Sequence, residues 1–489
     1  MTAEIKTVAH SHTVEKIGGT SMLDYATVRD NIILGGGRVD DPYNRIIVVS
    51  AYAGITNRLL EHKKTGHPGV FALFAGSQLE GSWRDEMALL RTELYTLNRE
   101  LFSDPLDVER ANRFVGERLD SAAACLDNLA QLCRHGHFAL DMHLSTVREM
   151  LASIGEAQSA WNTVQLLQRD GVNARFVDLT GWQSEEHTSL DNRIESAFKD
   201  IDITTSLPVV TGYAHTEEGL MSRFDRGYTE MTFSRIAVLT GASEAVIHKE
   251  FHLSSADPVL VGEANAVPIG RTNYDVADQL ANLGMEAIHP RAAKGLRQNE
   301  IPLRVKNTFE PEHNGTLITA DYVSKTPCVE IIAGSKGIFS LEVFDQNMAG
   351  QNNQHDQNIL AVIGRFKAQV VAKDINANTI THFLSCNLKT IRRIRRELEA
   401  LYPEAEIDQK QVAIVSAIGS DLRVNGILAK AVTTLADGDI GVQAMHQSMR
   451  QVDMQFVVEE SDYEEAIRRM HKALVEVHDH GLAICAATV

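Results

Sequence analysis

Lys16-Ile-Gly-Gly-Thr-Ser21 directly follows a short apolar strand pattern, and the architecture of the chain can be worked out from this stretch. Paired glycines after a strand allow backbone N–H groups to close around the oxygens of a phosphate group, while Lys16 supplies a positive charge. The G-x-x-x-x-G-K-[ST] spacing of a P-loop is absent. The residues alone therefore leave two interpretations open, a phosphate-binding loop and an ordinary turn from a strand into a helix.

The residues around this loop predict an α/β domain. Arg45-Ile-Ile-Val-Val-Ser50 has the unbroken apolar pattern of a buried strand, and similar strands recur at 174–178 and 207–211. Helical periodicity over residues 84–150 indicates a helical insertion. Strands that alternate with helices predict a three-layer αβα arrangement around a mostly parallel sheet. Residues 307–315 are rich in turn formers, so we predict a first domain over residues 1–325.

Two segments beyond that boundary share one order of elements: a short strand, a helix, two short strands and a long amphipathic helix. This internal repeat predicts two ferredoxin-like βαββαβ domains, at residues 326–403 and 408–489. Two copies are typical of a pseudo-symmetric module that senses a ligand. A module that only joins two chains would show the same pattern, so dimerisation remains the alternative.

The composition limits the classes of function. Lys and Arg number 47 against 65 Asp and Glu, and the resulting formal charge of −18 opposes binding to nucleic acid. No apolar stretch has the length of a signal peptide or of a membrane span, so we expect a cytoplasmic protein without a membrane partner. The five cysteines form no C-x-x-C pair, and no clustered His/Cys motif or EF-hand loop indicates a protein-bound metal.

Further motifs occur in the order found in the amino acid kinase family, and within it in the aspartate kinases, whose chains open with Lys-x-Gly-Gly-Thr-Ser. These motifs are Ser50-Ala-Tyr-Ala-Gly-Ile-Thr-Asn57, Ser153-Ile-Gly-Glu156, Pro208-Val-Val-Thr-Gly212, Arg226-Gly227, Ala256-Asp-Pro258, Ile288-His-Pro290 and Val305-Lys-Asn-Thr-Phe309. The tail resembles the paired ACT domains of aspartate kinases. The resemblance covers nearly the whole chain, and the tail and insertion are most similar to the branch associated with ectoine synthesis.

The resemblance implies an ATP-dependent aspartate kinase that converts L-aspartate to 4-phospho-L-aspartate, with Mg²⁺ carried by the nucleotide. This reaction is the first step of aspartate-family amino acid (lysine, threonine, methionine) or ectoine biosynthesis. The catalytic residues that it implies are Lys16, on the transferring phosphoryl group, and Glu230, which would organise Lys16. The residues implied for phosphate and nucleotide binding are Gly18, Gly19, Thr20, Ser21, His248, Lys249 and Asp257.

The residues that the resemblance assigns to the substrate suit its chemistry. A free aspartate side chain, with a pKa near ~4, is ionised at neutral pH and needs no base before it attacks phosphorus. Glu156 fits the α-ammonium group, Arg226 the α-carboxylate and Thr56 the reacting carboxylate. Thr229 supplies the hydroxyl that a serine supplies in the family. Taken singly, Glu156 could instead be a solvated helix residue, Arg226 a surface ion pair and Ser21 a helix N-cap.

Several positions depart from the aspartate kinase pattern. Tyr228 replaces a glycine of the motif Gly-Arg-Gly-Gly-Ser-Asp, and its side chain would block a close approach of the backbone unless the loop has moved. On the nucleotide side, His248-Lys-Glu-Phe-His252 replaces a Thr-Asp-Val-Asp-Gly-like strand end, and Val259 and Glu286 replace two cations. The choice between ATP and GTP and the catalytic competence of the chain therefore stay open.

In the second repeat, Ser420-Asp-Leu-Arg-Val-Asn-Gly426 precedes a helix, whose first N–H groups are suited to a carboxylate. Paired ACT domains of this kind resemble sensors of lysine or threonine. We therefore expect Asp421, Asn425 and Gly426 to contact an amino-acid effector, and we expect a homodimer through the ACT domains. Two alternatives to an active aspartate kinase remain: a non-catalytic amino-acid sensor and a kinase of another small carboxylate.

Overall fold

The structure is a computed structural model that describes residues 11–35, 41–63, 65–76, 81–135, 137–184, 187–224, 227–285 and 288–485. Its internal contacts divide the chain into two compact units, Met1–His252 with Ile288–Ala320, and Leu253–Ala287 with Asp321–Val489. Residues 253–287 belong to the first predicted domain, yet they pack with the second unit. The predicted domain limits themselves stay predictions.

A mostly parallel sheet forms the centre of the first unit. Its strands within the described residues are Thr13–Ile17, Arg45–Val49, Ala174–Val177, Leu207–Thr211, Glu244–Lys249, Leu303–Asn307 and Thr316–Thr319. Across the sheet they follow the order 174–177, 207–211, 45–49, 13–17, 244–249, 303–307 and 316–319. Neighbours pair in parallel as far as 303–307, and only the pairing of 303–307 with 316–319 is antiparallel within this described series. Every residue of strand 45–49 is buried, as its unbroken apolar run predicts.

Helices pack on this sheet and supply the predicted insertion. In the described part of the unit they are Tyr25–Thr27, Val28–Ile33, Ile55–Leu59, Val70–Gly76, Ser82–Leu101, Pro105–Cys133, Leu144–Arg169, Leu190–Phe198, Leu220–Phe224, Tyr228–Thr240 and Pro290–Gln298, with 3-10 turns at Ser21–Leu23 and Leu140–Met142. Helix 144–169 packs on strands 174–177 and 207–211, whereas helix 228–240 packs on strand 13–17. Asp104 caps helix 105–133 by accepting a 2.9 Å hydrogen bond from the N–H of Leu106.

A second sheet organises the other unit. The strands of this sheet are Ile331–Phe344, Gln369–Ile375, Thr379–Ser385, Glu406–Ile418, Ala444–Gln447 and Asp453–Glu459. The unit also contains strand Arg271–Asn273, which is not part of this sheet. The helices are Pro258–Val261, Tyr274–Asn282, Asn352–Arg365, Leu388–Leu401, Ile427–Ala436 and Tyr463–Leu474, with 3-10 turns at Gln346–Met348 and Glu460–Asp462. The order 369–375, 379–385, 331–344, 406–418, 453–459 and 444–447 runs across one antiparallel sheet.

Two long strands belong to both βαββαβ repeats. The paired stretches 338–344 and 406–412 complete the first repeat beside strand 379–385. Residues 412–418 begin the second repeat, and they pair on one side with 453–459 and on the other with 331–335. The two ferredoxin-like domains predicted from the sequence are therefore present, but the second takes its last strand from residues 331–335, which precede the first strand of the first repeat at 338–344. This exchange joins both repeats into one continuous sheet.

A buried group of charges lies in the middle of the first sheet. Glu15 accepts two hydrogen bonds of 2.7 Å from the guanidinium of Arg45 and lies 2.8 Å from Nε2 of His248. Burial alone would raise the pKa of Glu15, but Arg45 and His248 outweigh it and hold that pKa well below its ordinary value. Burial lowers the pKa of His248. The charge on Glu15 is thus compensated inside the fold.

We predict that R45M destabilises the first unit by about 3–5 kcal/mol, because it leaves the Glu15 carboxylate buried without its cation. Urea unfolding followed by tryptophan fluorescence measures the loss selectively, since Trp83, Trp161 and Trp182 all lie in this unit. R113M is the matched control, because Arg113 is 63% exposed and pairs with Glu109 on the surface, so a change below about 1 kcal/mol is expected. Equal losses in the two variants would contradict the assignment.

Candidate active site

The carboxyl ends of the parallel strands lie at one edge of the first sheet, where such sheets commonly bind ligands. The Gly18-Gly19 loop follows strand 13–17 at this edge. A Cβ atom on Gly19 would lie 2.4 Å from the carbonyl oxygen of Ala51, and the N–H of Ala53 donates to the Gly19 carbonyl at 3.0 Å. Only a glycine at position 19 allows the Gly18-Gly19 loop and the loop at 50–54 to approach each other so closely. The N–H of Gly18 donates a hydrogen bond to the carbonyl of His248 at 3.4 Å, which joins the loop to the end of strand 244–249.

An acidic side chain clamps Lys16, the residue that precedes this turn. Lys16 is 9% exposed, and its Nζ atom lies 3.6 Å from Oε1 of Glu230, in the first turn of helix 228–240. The other Glu230 oxygen accepts a 2.5 Å hydrogen bond from the backbone N–H of His289, directly before helix 290–298. Glu230 therefore fixes the ammonium group of Lys16 between two helix starts.

Glu156 lies close to the same lysine and is almost fully enclosed. It is 2% exposed, and its Oε1 atom accepts a 2.7 Å hydrogen bond from the hydroxyl of Thr229. Its Oε2 atom is buried without a hydrogen-bond partner among the described residues. Burial raises the pKa of Glu156 to about 8, although Thr229 and the charge of Lys16 oppose the rise. Glu156 is therefore a buried acceptor that forms no direct salt bridge with a cation among the described residues, although the charge of Lys16 acts on it.

The helix that carries Glu156 is placed by a glycine contact. A Cβ atom on Gly155 would lie 2.9 Å from Cβ of Ala51, so the glycine of the Ser-Ile-Gly-Glu motif lets helix 144–169 approach the loop at 50–54. The hydroxyl of Ser159 donates to the carbonyl of Ser50 at 2.7 Å and fastens the same contact. Thr56, in helix 55–59, follows that loop directly.

Tyr228, which replaces a glycine of the family pattern, lies within hydrogen-bonding reach of Glu156 and opposes the rise in the pKa of that carboxyl group. Its side chain is buried, and its ring meets that of Tyr213 edge to face at a centroid distance of 5.6 Å. The hydroxyl of Tyr213 in turn donates to Oε2 of Glu149 at 2.7 Å. Sequence patterns did not single out Tyr213 or Glu149. Glu149 lies seven residues before Glu156, and that helical spacing is the signal that both share one face.

The residues predicted for the nucleotide divide into several environments. Ser21 is buried with its hydroxyl 3.0 Å from that of Thr308, while Thr20 is exposed and caps no helix through its side chain. The side chain of His248 lies against Glu15 in the sheet, and the carbonyl of Lys249 accepts from the N–H of Thr308 at 2.8 Å.

Two more predicted residues lie elsewhere. Asp257 belongs to the second unit, where it caps helix 258–261 through a 2.9 Å bond from the N–H of Val259. Arg226 lies outside the described residues.

The residues predicted for an effector lie in the second unit. Both carboxylate oxygens of Asp421 accept hydrogen bonds from the guanidinium of Arg423, at 2.8 and 2.7 Å. Asn425 and Gly426 are exposed just before helix 427–436. The carboxylate of Asp421 is therefore engaged within its own loop.

Two surveys of the described residues concern metals and membranes. Within the described ranges, no group of three or more His, Cys, Asp or Glu side chains is placed to hold a metal ion. None of the helices that the structure describes combines the length and the apolar character that crossing a bilayer requires.

Comparison with known proteins identifies related chains. The model of the amino acid kinase family matches residues 12–307, and an ACT domain model matches 415–474. Aspartate kinase Ask_Ect of Stutzerimonas stutzeri is 56% identical over 476 residues, which cover 97% of this chain and 100% of that protein. Aspartokinase of Saccharomyces cerevisiae is 25% identical, over 96% and 94% of the two chains. E. coli aspartokinase III in complex with aspartate and ADP shares the fold at a TM-score of 0.70 and 20% identity, with 95% and 99% covered.

The raised pKa of Glu156 has a measurable effect on stability. Because the folded protein disfavours the carboxylate, the protein loses stability as pH rises from the ordinary pKa of a glutamate towards about 8. We predict that E156Q removes this loss and is more stable than the wild type at pH 8.5, by an amount on the order of 3 kcal/mol, with little difference at pH 5. Urea unfolding at both pH values measures the difference.

The control is E100Q, because Glu100 is exposed on helix 82–101. E100Q should follow the wild type at both pH values. If E156Q also followed the wild type between pH 5 and pH 8.5, a perturbed Glu156 would be ruled out.

Proposed function

This chain belongs to the amino acid kinase family and, within it, to the aspartate kinases, and we propose that it transfers the γ-phosphoryl group of ATP to the β-carboxylate of L-aspartate. The product is 4-phospho-L-aspartate. One observation carries the proposal: the buried carboxylate of Glu156, whose Oε2 atom accepts no hydrogen bond of ordinary geometry from the described residues, lies near Lys16, which Glu230 also holds. A buried carboxylate without a direct salt bridge suits the α-ammonium group of an amino acid.

The reaction needs alignment and charge stabilisation from the protein rather than a base. The β-carboxylate of aspartate is ionised at neutral pH, because its ordinary pKa is near ~4. Lys16 supplies a positive charge to the equatorial oxygens of the phosphoryl group during transfer. Glu230 holds the Lys16 ammonium group in position through its contacts with Lys16 and with the N–H of His289. The fold therefore orients the ammonium group of Lys16 before the substrate binds, so the cost of orienting it does not arise during the reaction.

The acceptor is held by groups that match its three charges. Glu156 takes the α-ammonium group, and the binding of that cation lowers the pKa of Glu156 and releases its proton. Arg226 takes the α-carboxylate through its forked guanidinium. Thr56 and Thr229 offer hydroxyl groups at the reacting end, and Thr229 also fixes Glu156. L-Aspartate satisfies each of these groups at once.

The Gly18-Gly19 loop fits the phosphate groups of the nucleotide. Gly19 packs against the carbonyl of Ala51 with no room for a Cβ atom, which fixes the position of the loop. Paired glycines in such a loop also let backbone N–H groups approach a phosphate. Thr20, Ser21, His248 and Lys249 complete the nucleotide set that we propose for this unit, and the role of Asp257 stays a prediction. Mg²⁺ bound with the nucleotide neutralises charge on the β- and γ-phosphates.

The second unit has the form of a regulatory module. Its two ACT-like repeats suit an amino-acid effector, and we propose lysine or threonine, since E. coli aspartokinase III has been solved in complex with lysine and aspartate. We further propose a homodimer through these repeats, a cytoplasmic location, and a product that enters aspartate-family amino acid or ectoine biosynthesis. A non-catalytic sensor is not favoured, because Lys16, Glu230, Glu156 and Thr229 remain assembled.

We predict that K16A lowers kcat by about 10²–10³-fold, because it removes a charge from the transition state. The assay follows ADP release from MgATP with and without L-aspartate and traps the acyl phosphate with hydroxylamine. K63A is the matched control, since Lys63 is exposed in the same unit. Full hydroxamate formation by K16A, or none by the wild type with either ATP or GTP, would refute the proposed reaction.

We predict that KM for L-aspartate falls as pH rises from about 6.5 to about 8.5, because the ionised form of Glu156 binds the ammonium group. E156Q removes the charge-assisted hydrogen bond, so its KM should rise by about 10–100-fold and vary little over this range. Initial rates at several pH values measure both trends. A flat wild-type KM, or a normal KM for E156Q, would exclude Glu156 from the substrate site.

A further inference from the structure

The second unit contains a cavity of about 510 Å³ that none of the proposed functions uses. We call it the Arg271 cavity. Residues 321–326 and 479–482 form most of its wall, and Arg271 reaches it from the strand at 271–273. The volume lies within the range of about 300–1,000 Å³ that is usual for sites that bind small molecules.

The guanidinium group of Arg271 has no ion-pair or hydrogen-bond partner among the described residues. Its Nε atom is buried without a hydrogen bond. Its Cζ atom lies 5.0 Å from the centre of the Tyr322 ring, and Asn273 holds the Tyr322 carbonyl through a 2.8 Å bond. An arginine stacked on a fixed ring presents its N–H groups in one plane, which matches a carboxylate. Buried donors of this kind are rarely left unsatisfied, so the arrangement indicates a missing anion.

The charges around the cavity select the kind of anion. Lys325 lines the wall together with Arg271, and the carboxylates of Asp321 and Asp479 line it as well. The two positive side chains are therefore balanced by two negative ones. A dianion such as phosphate would be repelled by the two aspartates more strongly than a monocarboxylate, and the ammonium group of a zwitterion would be attracted to them. Hydroxyl groups of Ser324 and Thr326 are available on the wall as further hydrogen-bond partners.

The wall of the cavity is joined to the loop that begins the second repeat. The N–H of Ser324 donates to the hydroxyl of Ser420 at 3.0 Å, and this hydroxyl donates to Oε1 of Glu330 at 2.5 Å. The hydroxyl of Thr272, next to Arg271, acts on the carboxylate of the same Glu330. Occupation of the cavity would therefore bear on a polar network that reaches the start of the second repeat.

We propose that the Arg271 cavity binds a small monocarboxylate, such as an amino acid, with the carboxylate group on the guanidinium of Arg271. The site differs from the predicted effector residues Asp421, Asn425 and Gly426. It does not rest on the kinase reaction, so its test measures binding and not turnover.

The first experiment needs no variant. The full chain is treated with phenylglyoxal, which modifies accessible arginines, and the peptide that contains Arg271 is followed by mass spectrometry. L-Lysine, L-threonine, acetate and orthophosphate are added in separate arms at saturating concentration. At least one carboxylate should slow modification of Arg271 about tenfold, and orthophosphate should not. Protection by no carboxylate, or by orthophosphate alone, would overturn the proposal.

The second experiment locates the binding by calorimetry on the wild type, R271Q and R392Q. Arg392 is an exposed arginine of helix 388–401 and serves as the matched control. The protective carboxylate should bind R271Q at least about tenfold more weakly and R392Q as tightly as the wild type. R271K, which keeps the charge but loses the fork, should be intermediate and also shows that replacement at this position leaves the fold intact. Unchanged binding to R271Q would place the ligand elsewhere and reject the site.

Discussion

The Glu230 carboxylate joins three parts of the first unit at one point. It contacts the ammonium group of Lys16 at the end of a central strand, it lies in the first turn of helix 228–240, and it accepts a hydrogen bond from the N–H of His289 before helix 290–298. An ammonium on a flexible four-carbon chain would otherwise sample many positions. The ion pair at 3.6 Å restricts Lys16 at the end of the strand that leads into the glycine loop. In the proposed reaction, the position of this charge is therefore set before the substrate binds.

Two buried carboxylates of this unit show how the environment assigns different tasks. Glu15 receives Arg45 and His248, so its charge is compensated and its pKa is held low. Glu156 receives one hydroxyl from Thr229 and has an oxygen without a partner among the described residues, so burial dominates and raises its pKa. Glu15 therefore contributes to the stability of the fold, whereas Glu156 is suited to the cation-binding role that we propose for it. The difference follows from partners and not from depth, since both residues are almost wholly buried.

Much of this arrangement can be predicted from the sequence. Short-range patterns are sufficient for the parallel sheet, the helical insertion and the two repeats, because periodicity reports which face of an element is buried. Lys16 and Glu156 follow from motifs in which a glycine allows close packing, at Gly19 and Gly155. The roles of the individual site residues stay predictions.

Other features depend on contacts between residues far apart in sequence. One such contact joins the ring of Tyr228, which replaces a glycine of the family pattern, to the ring of Tyr213. Residues 331–335 pair with residues 414–418 of the second repeat. The repeated order of elements in the sequence does not predict this pairing, because it places each strand within its own repeat. Arg271 belongs to no motif, and it becomes notable only because its Nε atom is buried without a hydrogen bond to the described residues.

The measurement that tests this view of the acceptor site most directly is the count of protons released when L-aspartate binds. Calorimetry at pH 7, in the presence of ADP and in buffers of different ionisation enthalpy, gives that number. Glu156, with a pKa of about 8, is mostly protonated before binding, and the ammonium group of aspartate displaces its proton. We predict the release of about one proton by the wild type and of none by E156Q. Aspartate binding without proton release in the wild type would contradict the proposed role of Glu156.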